Sequence, residues 1–280
     1  MTQDPLPGFD TAAFVRATLA EDLGEHGDVT SAAVIPADAQ LTAILASRDA
    51  VTVAGLWLAA AFFAALDADA AIDVLVDEGA RVPAGTPLLR VSGNARALLA
   101  AERSALNTVQ HLTGIATLTQ CYVDAIAGTG AVLLDTRKTL PGLRVLEKYA
   151  TRTGGATNHR MRLDDGVMIK DNHIAVAGGV GAAVAAAKAA ALTGVVVEVD
   201  RIDQIEAALA AGADRLLLDN MGPVVLREAV ALVAGRVPTE ASGGVALSTI
   251  CAIAETGVTY ISVGRITQSA PAADIGMDYV

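Results

Sequence analysis

The sequence predicts an α/β protein: an N-terminal α+β part, then repeated strand–helix units whose parallel strands form a sheet or close into a barrel. Three observations lead there. Hydrophobic residues make up 53% of 280, mostly Ala, Val and Leu with 3% aromatic, a composition suited to Ala-rich helices on Val/Leu strands. After Thr113, short apolar runs alternate with Ala-rich helical patterns through to the C-terminus. Glu198, Asp219 and Glu240 are evenly spaced along that part, which marks an internal period. The length accommodates two domains, placed at residues 1–112 and 113–280.

In the N-terminal part, Asp10 or Thr11 can cap a first helix with Phe14, Val15, Leu19 and Leu23 on one side, ended by Gly24. Residues 25–31 read as a polar loop, with His26 solvated. Residues 41–53 read as one or two strands, and 55–66 as a helix burying Trp57, Leu58, Phe62 and Phe63. Residues 72–76 form a strand, and the Gly/Pro-punctuated stretch 77–93 predicts tight hairpins. A long helix runs from Ala95 to Leu112, with Glu102, Arg103, Asn107, Gln110 and His111 on its polar face. In the C-terminal part, strands are expected at 131–134, 167–169, 195–199, 215–218, 237–241 and 258–263, with helices such as 201–211, 224–234 and 247–256 between them.

Net charge is -11, and no basic stripe with interleaved aromatics exists, which argues against nucleic acid as a partner. Cys121 and Cys251 sit in apolar helical patterns without metal-ligand spacing and read as packed thiols. The N-terminus has no basic region followed by an apolar run. The most apolar stretch, 175–197, is interrupted by glycine and reads as a buried helix plus a buried strand, not a membrane span. A cytoplasmic protein is expected.

Against that acidic background, residues 137–170 hold eight Arg or Lys (137, 138, 144, 148, 152, 160, 162, 170) and only three acids, Glu147, Asp164 and Asp165. Such an island suits a small, highly charged anion. Arg144, Lys148 and Arg152, on a helix, are expected in ordinary ion pairs. Arg137, Lys138 and Lys170 stand at strand ends, where parallel α/β architectures gather their functional groups, and are expected to be less engaged. The planar guanidiniums of Arg137 and Arg160 match carboxylate or phosphate, whereas Lys138 and Lys170 act as mobile point charges, with His159 beside them. Ser242-Gly243-Gly244 and Val263-Gly264 lie at the last two strand ends, where bare backbone can cradle a monophosphate. Glu198 and Asp219 at the same mouth could hold sugar hydroxyls, bind Mg²⁺ or stabilise a developing cation.

D-T-R-K-T-L-P-G-L-R (135–144), G-G-A-T-N-H-R (154–160), the I-K-D-N-H run ending at His173, L-L-D-N-M (217–221), E-A-S-G-G (240–244) and I-S-V-G (261–264) resemble the quinolinate phosphoribosyltransferase family. The upstream runs 19–31 and 102–117 match as well, so the resemblance covers nearly the whole chain. It implies an N-terminal α+β sandwich-like domain and an irregular, incompletely closed (β/α) barrel. It also implies transfer of a phosphoribosyl group from 5-phosphoribosyl 1-pyrophosphate to quinolinate with Mg²⁺, giving nicotinate mononucleotide, pyrophosphate and CO₂ in NAD biosynthesis. Homodimers with shared sites are implied, Arg103 reaching the partner's quinolinate. By the same resemblance Arg137, His159 and Arg160 bind the pyridine carboxylates, and Lys138 and Lys170 serve the pyrophosphate and the substrate charge. Glu198 and Asp219 hold ribose and metal, and Ser242, Gly243, Gly244 and Gly264 take the 5-phosphate. Thr136, Val263 and Arg265 complete the expected substrate contacts.

Leu140, Arg265 and Gln268 depart from the family pattern, and Gln268 could weaken a phosphate contact. Three alternatives stand beside this reading. One is a related barrel phosphoribosyltransferase acting on another acid, such as nicotinate, or a homologue associated with molybdate transport. The second is a Schiff-base aldolase using Lys138 or Lys170, which would need a lysine isolated in apolar surroundings or with its pKa lowered by neighbouring cations. The third is a non-catalytic anion binder, which has no use for Glu198 and Asp219.

Overall fold

The computed structural model describes residues 6–280. In chain order the elements are α1 (Thr11–Leu23), α2 (Val29–Val34), β1 (Gln40–Ser47), β2 (Val51–Thr52), α3 (Leu56–Leu66), β3 (Ala71–Val74), β4 (Arg81–Val82), β5 (Pro87–Asn94) and α4 (Ala95–Ala125). There follow β6 (Val132–Leu134), α5 (Arg144–Thr153), β7 (Met168–Ile169), α6 (Asp171–Ala177), α7 (Val180–Ala189), β8 (Val196–Val199) and α8 (Ile205–Ala210). The last are β9 (Arg215–Asp219), α9 (Pro223–Val233), β10 (Thr239–Ser242), α10 (Ile250–Ala254), β11 (Tyr260–Ser262), α11 (Arg265–Gln268) and β12 (Ile275–Tyr279). They divide into two compact units. One holds the described residues up to Leu118 with Val145–Gly154 and Ala270–Val280; the other holds Thr119–Arg144 and Gly155–Ser269. Both units are discontinuous in sequence, because α5 and β12 return to the first.

In the first unit, β12, β1, β5 and β3 form an antiparallel sheet in that order. Ala43, Leu45, Leu89 and Val91 are fully buried at alternate positions, the period-two signature of a face turned to the core. α3 adds Phe62 and Phe63, both fully buried, and Phe14 of α1 stands edge-on to Phe62. Asp10 caps α1 by accepting the Ala13 N–H at 2.8 Å, and Gly24 ends it at φ +53°. The polar loop expected at 25–31 is shorter than that: Asp28 accepts the Ser31 N–H at 2.9 Å and starts α2 at Val29. The hairpins expected at 77–93 do not form between neighbours; β4 pairs with β2, and β5 with β1 and β3.

α4 extends to Ala125, well past the end expected at Leu112. Thr113 and Gly114 resemble helix-ending residues but serve packing. The buried Thr113 hydroxyl accepts the Ala54 N–H at 3.1 Å and donates to the Ala54 carbonyl at 3.0 Å. A Cβ on Gly114 would collide with the carbonyl oxygen of Pro271. Gly114→Ala is therefore expected to destabilise the fold despite alanine's helix preference of about 1 kcal/mol, since overpacking against backbone costs about 1–3 kcal/mol. Thermal melting of the variant below wild type checks this. His111, expected on a solvated face, instead lies 2.9 Å from Glu147, which is fully buried.

In the second unit, six strands run parallel in the order β6, β11, β10, β9, β8, β7. No ladder among the described residues joins β6 to β7, so the strands form an open barrel, with a single bridge from Leu134 to Thr157 beyond β6. Val197, Leu216, Leu218 and Ile261 are fully buried within it. Cys121 and Cys251 are exposed free thiols, not packed ones. No described helix is long and apolar enough to cross a membrane.

Candidate active site

The C-terminal ends of these strands surround a cavity of about 760 Å³ lined entirely by the second unit. Strand register explains which carboxylates share it. Glu198 and Glu240 both lie opposite Leu217 of β9, while Asp219 lies opposite Ser242. Side chains two apart on a strand share a face, so Asp219 stands one step nearer the mouth than Glu198 and Glu240. The even sequence spacing of the three is thus not an even spacing in space.

The cationic wall is assembled by Asp135, at the end of β6. Its buried carboxylate accepts the His159 N–H at 2.7 Å and the Asn158 amide at 2.6 Å, pinning residues 158–160 beside 136–138. His159 Nδ1 accepts the Arg160 N–H at 2.8 Å, and Arg160 Nη1 donates to the Gly166 carbonyl at 2.9 Å. Arg137 Nε is buried without a hydrogen-bond partner among the described residues. Burial, and then the neighbouring Arg137 charge, hold the Arg160 guanidinium below the usual arginine range, with Asp165 opposing. Two guanidiniums are thus held close enough to repel each other, an arrangement that an anionic ligand would relieve.

Glu240 is fully buried beside His159, its Oε1 at 3.5 Å from Nε2. Burial pushes its carboxyl up, but His159, Ser262 and Arg215 together bring it below the usual glutamate range. Arg215 approaches its other oxygen at 3.3 Å and stacks on Tyr260, 4.2 Å from the ring centre.

Lys170 does not stand apart as expected: its amine lies 2.5 Å from Glu198 Oε2. That pairing also removes the isolated amine a Schiff-base lysine needs there. Asp219 titrates above the ordinary aspartate range, first through burial and then through the Glu198 charge; Lys170, the Asn220 amide and Lys138 act in the opposite sense. Arg144, expected in an ion pair, instead donates to Thr139 and to the Met161 carbonyl, both at 3.1 Å. Arg152 lies over the Tyr149 ring.

Two of the glycines at the last two strand ends, Gly243 and Gly264, stand hard against neighbouring residues. A Cβ on Gly264 would come within 2.7 Å of Lys138 Cδ, so the bare backbone lets the lysine stem pass. Gly243 has φ +90°, and a Cβ there would collide with Asn220. Thr136, Arg137, Lys138, His159, Arg160, Lys170, Glu198, Asp219, Ser242, Gly243, Gly244, Val263, Gly264, Arg265 and Gln268 all line the cavity. Arg103 does not; it is exposed on α4 in the first unit, 4.0 Å from Glu102. Leu140 is exposed and lies outside the lining. Sequence reasoning gave no role to Asp135, Asn220, Glu240 or Ser262. All four lie within the runs that carry the family resemblance, at or just beyond the apolar strand stretches, and Glu240 also belongs to the 21-residue recurrence.

Residues 28–113 match the N-terminal domain of quinolinate phosphoribosyl transferase, and residues 115–278 its C-terminal domain. The chain belongs to the quinolinate phosphoribosyltransferase family. Within that family it is 44% identical to the nicotinate-nucleotide pyrophosphorylase (carboxylating) of Mycobacterium leprae (strain TN), over 96% of this chain and 98% of that relative. It is 41% identical to the mitochondrial quinolinate phosphoribosyltransferase (decarboxylating) 2 of Nicotiana glauca, over 97% and 82%. The solved nicotinate-nucleotide pyrophosphorylase of Francisella tularensis superposes with a TM-score of 0.91 at 39% identity, over 96% of each chain. That of Ehrlichia chaffeensis gives 0.94 at 34% identity, over 98% of this chain and all of the other.

Proposed function

We propose that this quinolinate phosphoribosyltransferase family member transfers the phosphoribosyl group of 5-phosphoribosyl 1-pyrophosphate to quinolinate with decarboxylation, yielding nicotinate mononucleotide, pyrophosphate and CO₂. The observation that carries the reading is the crowded cationic cluster of Arg137, Arg160 and Lys138, in which Arg137 Nε is buried without a hydrogen-bond partner among the described residues, lining one cavity together with Glu198 and Asp219.

Arg137, Arg160 and His159 hold the two pyridine carboxylates and aim the ring nitrogen at ribose C1. Pyrophosphate departs as the ribose ring gains oxocarbenium character. Glu198 and Asp219 stabilise that positive charge, and Lys138 and Lys170 stabilise the leaving group. The nitrogen attacks from the opposite face. The pyridinium then draws electrons from the adjacent carboxylate bond, and CO₂ leaves. Ser242, Gly243, Gly244 and Gly264, with Val263 and Arg265, receive the 5-phosphate.

Two carboxylates on one sheet face offer the hard oxygen donors that Mg²⁺ takes. Glu198 and Asp219 would hold it, and when bound it supplies charge neutralisation of the pyrophosphate. The decisive assay measures nicotinate mononucleotide and CO₂ formed from quinolinate and 5-phosphoribosyl 1-pyrophosphate; absence of both products sinks the proposal.

The exposed Arg103 suits a site completed by a second copy in a cytoplasmic homodimer. Mixing inactive Arg103→Ala and Lys138→Ala protomers is expected to restore part of the activity, because one hybrid site is whole. No recovery after verified subunit exchange would exclude sharing.

A further inference from the structure

Asn220 follows Asp219 directly, and four observations converge on it. Its backbone lies at φ +54°, one of only three positive-φ non-glycine residues described. Asparagine tolerates that region better than most residues, but a purely structural turn would take glycine more readily. Its side-chain amide donates to Asp219 Oδ2 at 2.7 Å. Its backbone N–H donates to the Ser242 carbonyl at 2.8 Å. Its amide oxygen occupies the space where a Cβ on Gly243 would stand.

One side chain therefore touches both halves of the cavity floor. On one side it sets the rotation of the Asp219 carboxylate. On the other it packs against the bare α-carbon of Gly243, inside the Ser242–Gly244 turn. The proposed function assigns the first half to ribose and metal and the second to the 5-phosphate; these groups belong to one substrate. A rigid spacing between their sites selects that substrate's length.

Resting on that functional reading, we propose that Asn220 is a positioning residue that couples the Asp219 carboxylate to the Ser242-Gly243-Gly244 turn and so sets recognition of 5-phosphoribosyl 1-pyrophosphate. Quinolinate, held by the opposite, cationic wall, does not depend on it.

Asn220→Gly tests this, because glycine accepts the positive φ and keeps the backbone N–H to Ser242, so the fold is expected to persist. Losing an amide bond to a carboxylate is expected to raise the KM for 5-phosphoribosyl 1-pyrophosphate roughly 10- to 100-fold, with the quinolinate KM within about twofold of wild type. Calorimetric titration with 5-phosphoribosyl 1-pyrophosphate in Mg²⁺ should show the same loss without turnover. Asn220→Ala should share the kinetic defect while melting lower than the glycine variant.

An active wild type with an unchanged KM for this substrate in Asn220→Gly would overturn the role of Asn220 and leave the functional reading standing. Equal rises in both KM values that track a lower melting temperature would also overturn it, by showing a merely structural role. A wild type that neither binds 5-phosphoribosyl 1-pyrophosphate nor turns over would overturn both readings.

Discussion

Arg137→Ala is expected to lower kcat/KM for quinolinate by roughly 30- to several-thousand-fold while leaving the melting temperature unchanged or slightly raised. The loss follows from chemistry: truncating one partner of a buried, charge-assisted guanidinium–carboxylate pair costs about 2–5 kcal/mol, or roughly 30- to several-thousand-fold. Retention of stability follows from the geometry around Arg137. Arg137 Nε has no hydrogen-bond partner among the described residues, and its charge disfavours the neighbouring Arg160. Removing it therefore costs the folded protein little and relieves a repulsion. Arg137→Lys is expected to recover only a small part of the rate, since a point charge cannot present two parallel donors. Steady-state kinetics beside a thermal melt check all of this. A rate near wild type would mean the cationic wall does not grip the substrate. A lost rate accompanied by a collapsed fold would mean that Arg137 is structural.

How much of this was legible in the sequence depended on whether a feature was local. The caps of α1 were readable because Asp10 and Gly24 act within one turn of themselves. The C-terminal strands were readable because buried parallel strands are short apolar runs. α4 runs on past the end expected at Leu112, and the contacts that hold Thr113 and Gly114 within it lie far away in sequence, at Ala54 and Pro271. The same holds within the cavity. Strand-end cations pointed to the residues that line the cavity, but the Lys170–Glu198 pair depends on two strands meeting side by side, which no residue count reveals. The 21-residue recurrence of Glu198, Asp219 and Glu240 pointed to repeated units, yet only pairing register shows that Asp219 sits one step further out. Glu240 and Asn220 went unassigned because one is hidden inside an apolar run and the other looks like a turn residue.

Asp219→Asn should separate function from stability in the other direction, with opposite signs for the two. Burial and the Glu198 charge raise the Asp219 carboxyl above its ordinary range. A raised folded-state pKa means that the protonated form favours folding. That contribution is fully present below the unfolded aspartate pKa of about 3.9 and is lost as pH rises through the raised folded value. At neutral pH the ionised carboxylate is therefore a burden on the unliganded protein. The neutral amide removes it while still accepting from Asn220. The variant's melting temperature without ligand is expected to exceed wild type at pH 7 to 8, with the gap closing as pH falls into the carboxylate range. Its turnover is expected to drop on the order of 100- to 1,000-fold, because in the proposed mechanism the same charge meets the developing oxocarbenium ion. Melting curves across pH, paired with kcat at neutral pH, read both effects. A variant less stable than wild type at pH 8 would show that Asp219 is better solvated or paired than its surroundings indicate. A variant with unchanged kcat would remove it from the reaction. Wild-type stability that falls as pH rises through the raised range, and is restored by 5-phosphoribosyl 1-pyrophosphate with Mg²⁺, would show the substrate complex offsetting the strain of two neighbouring carboxylates.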